Sequence, residues 1–167
     1  VASVKSFLML NYPEFEIIII NDGSSDDTLE KLIHHFKLKE DNVFQDSKLE
    51  YKKIKKIYRS QVHPHLLVID KVNRGKADAI NSGLSVSQYP LFCTVDSDSI
   101  LEDDALLRIA LPFFEDPEKT IATGGTIRIA NGSDIKHGRI VKPRLSNNPL
   151  ILMQNIEYIR AFLCGRV

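Results

Sequence analysis

Three short polar clusters close three apolar runs, and their residue types suit phosphate and metal chemistry. Asp96-Ser97-Asp98 sets two carboxylates one residue apart directly after Leu91-Phe92-Cys93-Thr94-Val95. Carboxylate oxygens are hard ligands that hold Mg2+ or Mn2+, ions that commonly bridge to phosphates. Asn21-Asp22-Gly23-Ser24 follows the run Phe15–Ile20 and offers a carboxylate beside the open amides of a helix start. Asn73-Arg74-Gly75-Lys76 follows Leu66–Asp70 and offers a lysine at another helix start. Metal and lysine would neutralise a pyrophosphate and the amides would cradle it, so the combination suits a nucleoside diphosphate. Taken singly, each residue has a plainer reading. Asp22 suits a turn, Asp26 a helix cap, Lys76 an ordinary surface position, and Asp96-Ser97-Asp98 a capped turn. Three such clusters at three strand ends are poorly explained that way.

The clusters meet only if the runs before them are strands of one sheet. Phe15–Ile20 is continuous, apolar and β-branched, as expected of a strand buried on both faces of a parallel sheet. A helix follows to about Phe36, its apolar residues at Leu29, Leu32, Ile33 and Phe36. Leu66–Asp70 predicts a second strand, with a helix from Ala77 to about Ser87. Residues 91–96 predict a third, with a helix from about Glu102 to Phe114 that Pro112 must end or kink. Thr120–Ala130 reads as a strand, Asn131-Gly132-Ser133 as a turn, and Gly138–Leu145 as its antiparallel return, with Pro143 demoting the end. Pro149 to Cys164 predicts an amphipathic helix. Residues 1–11 read as the end of another, broken at Tyr12-Pro13-Glu14, so the chain is expected to open inside an element. The alternation predicts an α/β fold, a mainly parallel sheet flanked by helices, with the three polar ends on one edge. No internal repeat and no domain boundary stands out.

With 167 residues the chain has the size of one domain. Twenty-two Lys and Arg balance 22 Asp and Glu, which argues against general nucleic-acid binding. No apolar run approaches the ~18 residues of a membrane span, and the expectation is of a segment with neither a membrane span nor a signal peptide. Cys93 and Cys164 alone exclude a disulfide framework, in keeping with a reducing cytosolic setting. Cys93 is expected to be a small core residue. Residues 37–62 are polar and lysine-rich. Tyr51, Ile54, Ile57 and Tyr58 would form a thin apolar stripe on a short helix or hairpin. Lys52, Lys53, Lys55, Lys56 and Arg59 beside it read as a solvated face, or else as a contact for anionic lipid headgroups or a phosphorylated substrate. His63-Pro64-His65 has the look of a ligand pair but lacks further ligands nearby. His34, His35 and His137 are expected at the surface, and Glu102, Asp103 and Asp104 in the first turn of a helix.

Read together, the clusters resemble a known pattern. Tyr12-Pro13-Glu14-Phe15-Glu16 through Asn21-Asp22-Gly23-Ser24-Ser25-Asp26-Asp27-Thr28 resembles the opening of inverting family 2 glycosyltransferases. Asn73-Arg74-Gly75-Lys76-Ala77-Asp78-Ala79-Ile80-Asn81-Ser82-Gly83 resembles their second motif, and Asp96-Ser97-Asp98 falls where their metal motif falls. Gln154 through Phe162 resembles the helix after the sheet in processive members, membrane enzymes that make poly-N-acetylglucosamine, hyaluronan or cellulose. The resemblance implies a GT-A fold and inverting transfer from a nucleotide-sugar, usually UDP-linked, to a saccharide acceptor. It implies that Asp22, with Gly23 and Ser24, lies at the uracil side of the donor and that Lys76 lies near the diphosphate. Asp96 would face the ribose or sugar, and Asp98, with Asp96, would ligate Mg2+ or Mn2+. UDP-N-acetylglucosamine is the donor that the poly-N-acetylglucosamine group favours.

The chain departs from this pattern at both ends. The family's V-S-V-I-I-P-x-Y-N-E strand is absent ahead of Phe15. The acidic motif that carries the general base is expected beyond Val167. The Gln-x-x-Arg-Trp motif is missing and there is no Trp. The expectation is a partial GT-A catalytic domain over 1–167 that holds the donor side and not the acceptor machinery. Such a segment would bind UDP weakly, transfer nothing and be marginally stable. It would be soluble and cytoplasmic, at the cytosolic face of the plasma membrane, with any membrane helices of the parent lying outside it. A nucleotidyltransferase, or a non-catalytic nucleotide-sugar-binding domain, would share the α/β layout.

Overall fold

A computed structural model describes residues 2–43, 49–51, 53–136 and 139–165. In chain order the elements are α1 (Ala2–Phe7), β1 (Ile17–Asp22), α2 (Thr28–Phe36), β2 (Leu38–Glu40), β3 (Ile54–Ser60), β4 (Leu66–Lys71) and α3 (Lys76–Leu84). Then come α4 (Ala105–Glu115), β5 (Asp134–Lys136), β6 (Arg139–Lys142) and α5 (Pro149–Gly165). The chain groups into two compact units. Pro13–Asp96 forms one; Ala2–Tyr12 with Ser97–Val167 forms the other.

The first unit is a four-stranded sheet in the order β1-β4-β3-β2. The α/β arrangement expected from the sequence holds, as a mixed sheet: β1 and β4 are parallel, and β3 runs antiparallel to both β4 and β2. Six matched pairs join β1 to β4, from Ile17 opposite Leu66 to Asp22 opposite Lys71. The two predicted strand ends therefore do share one edge. Strand β4 lies between two partners and is buried from Leu66 through Lys71. Its side chains Leu67 and Ile69 pack with Ile54, Ile57 and Val86, and Ile18 and Ile20 pack against that cluster. Helix α3 closes this face. Its Gly83 lies so close that an added Cβ would stand 3.0 Å from Ile20 Cδ1.

Several expectations are corrected. Of the two readings for residues 54–60, the antiparallel strand holds and the helix does not, with Lys55 and Lys56 exposed as expected of a solvated face. A register shift between Ile54 and Lys56 spaces the buried Ile54 and Ile57 three apart, which imitates helical periodicity. Residues 91–96 are not a strand, and Leu91, Phe92 and Cys93 are exposed. An apolar run becomes a strand only where another strand takes up its backbone hydrogen bonds, and no described strand pairs with it. Cys93 is accordingly no core residue. Helix α3 starts at Lys76 and ends at Leu84, and α4 starts only at Ala105.

In the second unit Pro112 sits inside α4 and neither ends it nor breaks it there. It falls in the last turn, and Asp116 N–H still donates to the Pro112 carbonyl at 3.0 Å. Residues 120–130 are not a strand. Thr120 Oγ1 donates to the Pro112 carbonyl and Thr123 Oγ1 to the Ile109 carbonyl, which ties the segment to α4. The antiparallel return pairs with β5, not with 120–130: Ile135 stands opposite Ile140, and Pro143 follows directly after the last β6 residue. The Asn131-Gly132-Ser133 turn is present just before β5, with Gly132 at φ 91°. Helix α5 begins as expected at Pro149, where Asn148 Oδ1 accepts from Leu150 N–H at 3.0 Å. Among the described residues no helix is long and apolar enough to cross a membrane. The expectations for Lys52, His137 and Gly138 fall outside the described residues.

Candidate donor site at the strand ends

Asp22 is the last residue of β1, at the C-terminal end of the parallel strand pair. Its Oδ1 accepts from Lys71 Nζ at 2.9 Å and its Oδ2 from Gly75 N–H at 2.8 Å, while the Arg74 N–H is shared between Oδ1 at 3.1 Å and Oδ2 at 3.3 Å. A carboxylate offers about four acceptor positions. On Oδ2 the second of them is taken only by the longer branch of that shared N–H. Burial pushes the Asp22 carboxyl up, but the bonds from Lys71, Gly75 and Arg74 and the Lys71 charge outweigh it and hold it below its usual value. Asp22 is thus an anchored, ionised acceptor, and its side chain is one-fifth exposed.

The turn after Asp22 explains why glycine follows. Gly23 has φ 71°, and a Cβ there would lie 2.8 Å from the Asn73 backbone nitrogen. Gly23 therefore lets the two strand-end loops touch, a structural reason that stands beside any contact with a ligand. Ser24 is exposed. Gly75, at φ 86°, turns the chain into α3. Lys76 is the first α3 residue, and its Nζ lies 2.6 Å from Asp96 Oδ1, with both side chains about two-thirds exposed. The structure thus unites Asp22 and Gly23 with the 73–75 loop, and Lys76 with Asp96. Asp98 is exposed in a turn of the second unit.

Lys71 was not singled out in the sequence, where the strand was taken to end at Asp70. Its side chain is fully buried. The ammonium lies 2.9 Å from Asp22 Oδ1 and 2.5 Å from Asp78 Oδ1, and donates to the Val72 carbonyl at 2.9 Å. Burial pulls the ammonium down, but hydrogen bonds to Asp78 and Asp22 and their charges outweigh it and hold it above its usual value. Asp78, left without a role by sequence reasoning, is a partner of this buried cation. The one signal available was a lysine closing an apolar run, with an acid on the next helix. On the other side of the strands, buried Asn21 donates to Asp70 Oδ1 at 2.9 Å.

The metal expectation meets a divided result. Two exposed carboxylates after an apolar run are the right donor chemistry for a hard divalent ion. Asp96 is engaged by Lys76, and among the described residues no group of three or more His, Cys, Asp or Glu side chains could hold a metal. Any ion here would need further oxygens from a ligand such as a phosphate. The His63 and His65 rings lie 6.2 Å apart, with Phe15 against His65. A shallow depression on one face of α2, lined by Asp27, Glu30, Lys31, His34 and His35, contains none of the candidate residues.

A mixed α/β sheet thus carries an anchored acid, a glycine turn and a lysine-led helix at its strand ends. The chain belongs to glycosyl transferase family 2, whose family model matches residues 1–165. It is 37% identical over 164 residues, 97% of this chain, to a poly-beta-1,6-N-acetyl-D-glucosamine synthase of Staphylococcus epidermidis. It is 35% identical over the same length to synthases of that name from Staphylococcus aureus strains COL and MSSA476. The chain spans about 30% of the length of these relatives. No solved structure matches it significantly.

Proposed function

We propose that this chain forms the donor-binding part of an inverting glycosyltransferase that takes a UDP-sugar, with UDP-N-acetylglucosamine favoured by the names of its relatives, and passes the sugar to a saccharide acceptor. The anchored Asp22 carboxylate carries the reading. Its Oδ2, which beside the Gly75 bond holds only the longer branch of the shared Arg74 N–H, suits a further N–H donor, and uracil presents such a donor at N3. Gly23 and Ser24 line the approach to it. Lys76 leads α3 next to this carboxylate's amide partners, where its ammonium and the helix start suit a diphosphate. Asp96, already paired with Lys76, would exchange that partner for the ribose or sugar hydroxyls when the diphosphate draws the lysine away. Asp98, with Asp96, would hold Mg2+ or Mn2+ together with phosphate oxygens. A bound divalent ion offsets the charge that develops on a departing diphosphate. No residue of this chain is assigned as general base. The membrane setting implied by the processive resemblance would come from other parts of a longer protein.

Calorimetric titration tests the proposal. UDP is expected to bind more tightly than CDP, added Mn2+ to strengthen UDP binding, and Asp98→Ala to remove that gain while the far-UV spectrum stays unchanged. Equal affinity for UDP and CDP would overturn the base assignment. A Mn2+ gain that survives in Asp98→Ala would overturn the metal assignment.

A further inference from the structure

We infer that Lys71 is a positioning residue for base recognition: buried between Asp22 and Asp78, it fixes the rotation of the Asp22 carboxylate so that Oδ2 is held ready for the nucleobase donor. This rests on the reading of Asp22 given above and adds to it the device that makes Asp22 selective. Lysine is almost never fully buried unless paired, and Lys71 is fully buried with two carboxylates from two different elements. Its ammonium donates to Asp22 Oδ1 and to the Val72 carbonyl and is ion-paired with Asp78. Three contacts from two strands' ends and α3 hold the cation in place. Through Oδ1 it fixes the rotation of the Asp22 carboxylate, while the Gly75 amide holds Oδ2 from the other side.

Stability alone is a weak explanation for such a network. A buried ion pair replaced by well-packed apolar side chains is often as stable or more so. What apolar side chains cannot do is orient an ionised acceptor. An ionised carboxylate held in one rotation accepts from the N3–H of uracil and repels the N3 lone pair of cytosine. A carboxylate free to rotate, or carrying a proton, serves both bases. The ratio of UDP to CDP affinity therefore reports on orientation, whereas a merely loosened structure lowers both affinities together.

The test titrates UDP and CDP into the wild-type chain, Asp22→Asn, Lys71→Met and the double variant Lys71→Met with Asp78→Leu. The double variant removes both charges so that no unpaired carboxylate remains on α3. Wild type is expected to prefer UDP. Asp22→Asn and both Lys71 variants are expected to lose about tenfold of that preference, the scale of one hydrogen bond, with CDP affinity changed less than twofold. If Asp22→Asn loses the preference but a folded Lys71 variant keeps it within twofold, the inference on Lys71 falls and the reading of Asp22 stands. If wild type shows no preference, or Asp22→Asn retains it, the Asp22 reading fails and takes this one with it. Unfolding of both Lys71 variants would assign the network to stability and likewise overturn the positioning role.

Discussion

Asp22 and Lys76 look alike in the sequence, as polar residues at strand ends, but the structure gives them different tasks. Asp22 is gripped by a buried cation and two loop amides; Lys76 stands in solvent with Asp96. Their substitutions should separate accordingly. Lys76→Ala breaks only an exposed ion pair, so stability is expected to move by less than about 0.5 kcal/mol. UDP affinity should fall about tenfold while uridine affinity holds, because only the diphosphate loses a partner; equal losses for both ligands would place Lys76 elsewhere. A second prediction concerns His65. Burial, then the nearby His63, push its imidazole below the usual value, and its Nε2 is buried with no hydrogen-bond partner. With the folded value lower than the unfolded one, the unfolded chain binds more protons in the window between them. Stability is then present above about pH 6.5 and lost as pH falls toward the folded value. The thermal midpoint should drop between pH 7.5 and 5.5, and drop less in His65→Phe; identical slopes would acquit His65.

At the scale of elements, the junction between the β1 and β4 loops is the least tolerant place. A side chain at Gly23 meets both a left-handed φ of 71° and the Asn73 backbone nitrogen at 2.8 Å. Backbone cannot yield as a side-chain tip can, so Gly23→Ala is expected to cost on the order of 1–3 kcal/mol in denaturant unfolding. Gly75→Ala shares the φ problem but has open space around the added Cβ, so its cost should be smaller. If the two costs are equal, the close approach to Asn73 does not matter. Element types were legible where burial was regular. Leu66–Asp70 was read correctly because a strand buried on both faces leaves an unbroken apolar run. Phe15–Ile20 located β1, but β1 is an edge strand in which only Ile17 and Asn21 are buried, not one buried on both faces. Residues 54–60 were left open between helix and hairpin, because a bulge changes the spacing of buried positions. Residues 91–96 were misread for the opposite reason: their composition is that of a strand, yet no described strand accepts their hydrogen bonds.

At the scale of the whole molecule, acid is the expected weak point. The Asp22 value is lowered in the fold, so its contribution is present above about pH 4 and lost as pH falls through the folded value. The Lys71 value is raised, so its contribution persists up to its usual alkaline range and is lost only as pH rises through the folded value. Urea midpoints should therefore form a plateau from mildly acidic to alkaline pH and fall below about pH 4. Flattening of that fall in the double variant Lys71→Met with Asp78→Leu would trace it to this network. The surface carries its own liability. On α5, Leu150, Met153, Ile156, Ile159 and Leu163 are all more than half exposed. An apolar stripe of this kind drives association. Ile156→Lys with Leu163→Lys is expected to reduce self-association in sedimentation velocity while the thermal midpoint stays put; a large drop in midpoint would show that these side chains are packed in the native fold.

By itself, the amino-acid sequence determined the chemistry on offer and the α/β class. Residue types at the ends of apolar runs are local facts, and the motif order from Asn21-Asp22-Gly23 through Asn73-Arg74-Gly75-Lys76 to Asp96-Ser97-Asp98 sufficed to suggest the family. The helices at Thr28–Phe36 and Pro149–Gly165 were legible because their periodicity and flanking residues are local too. Only the tertiary structure decided that Lys71 lies under α3 between Asp22 and Asp78, that Lys76 meets Asp96, and that 91–96 forms no strand. Each depends on register and on which backbone edges find partners. Those are properties of residues far apart in sequence, and no local pattern encodes them.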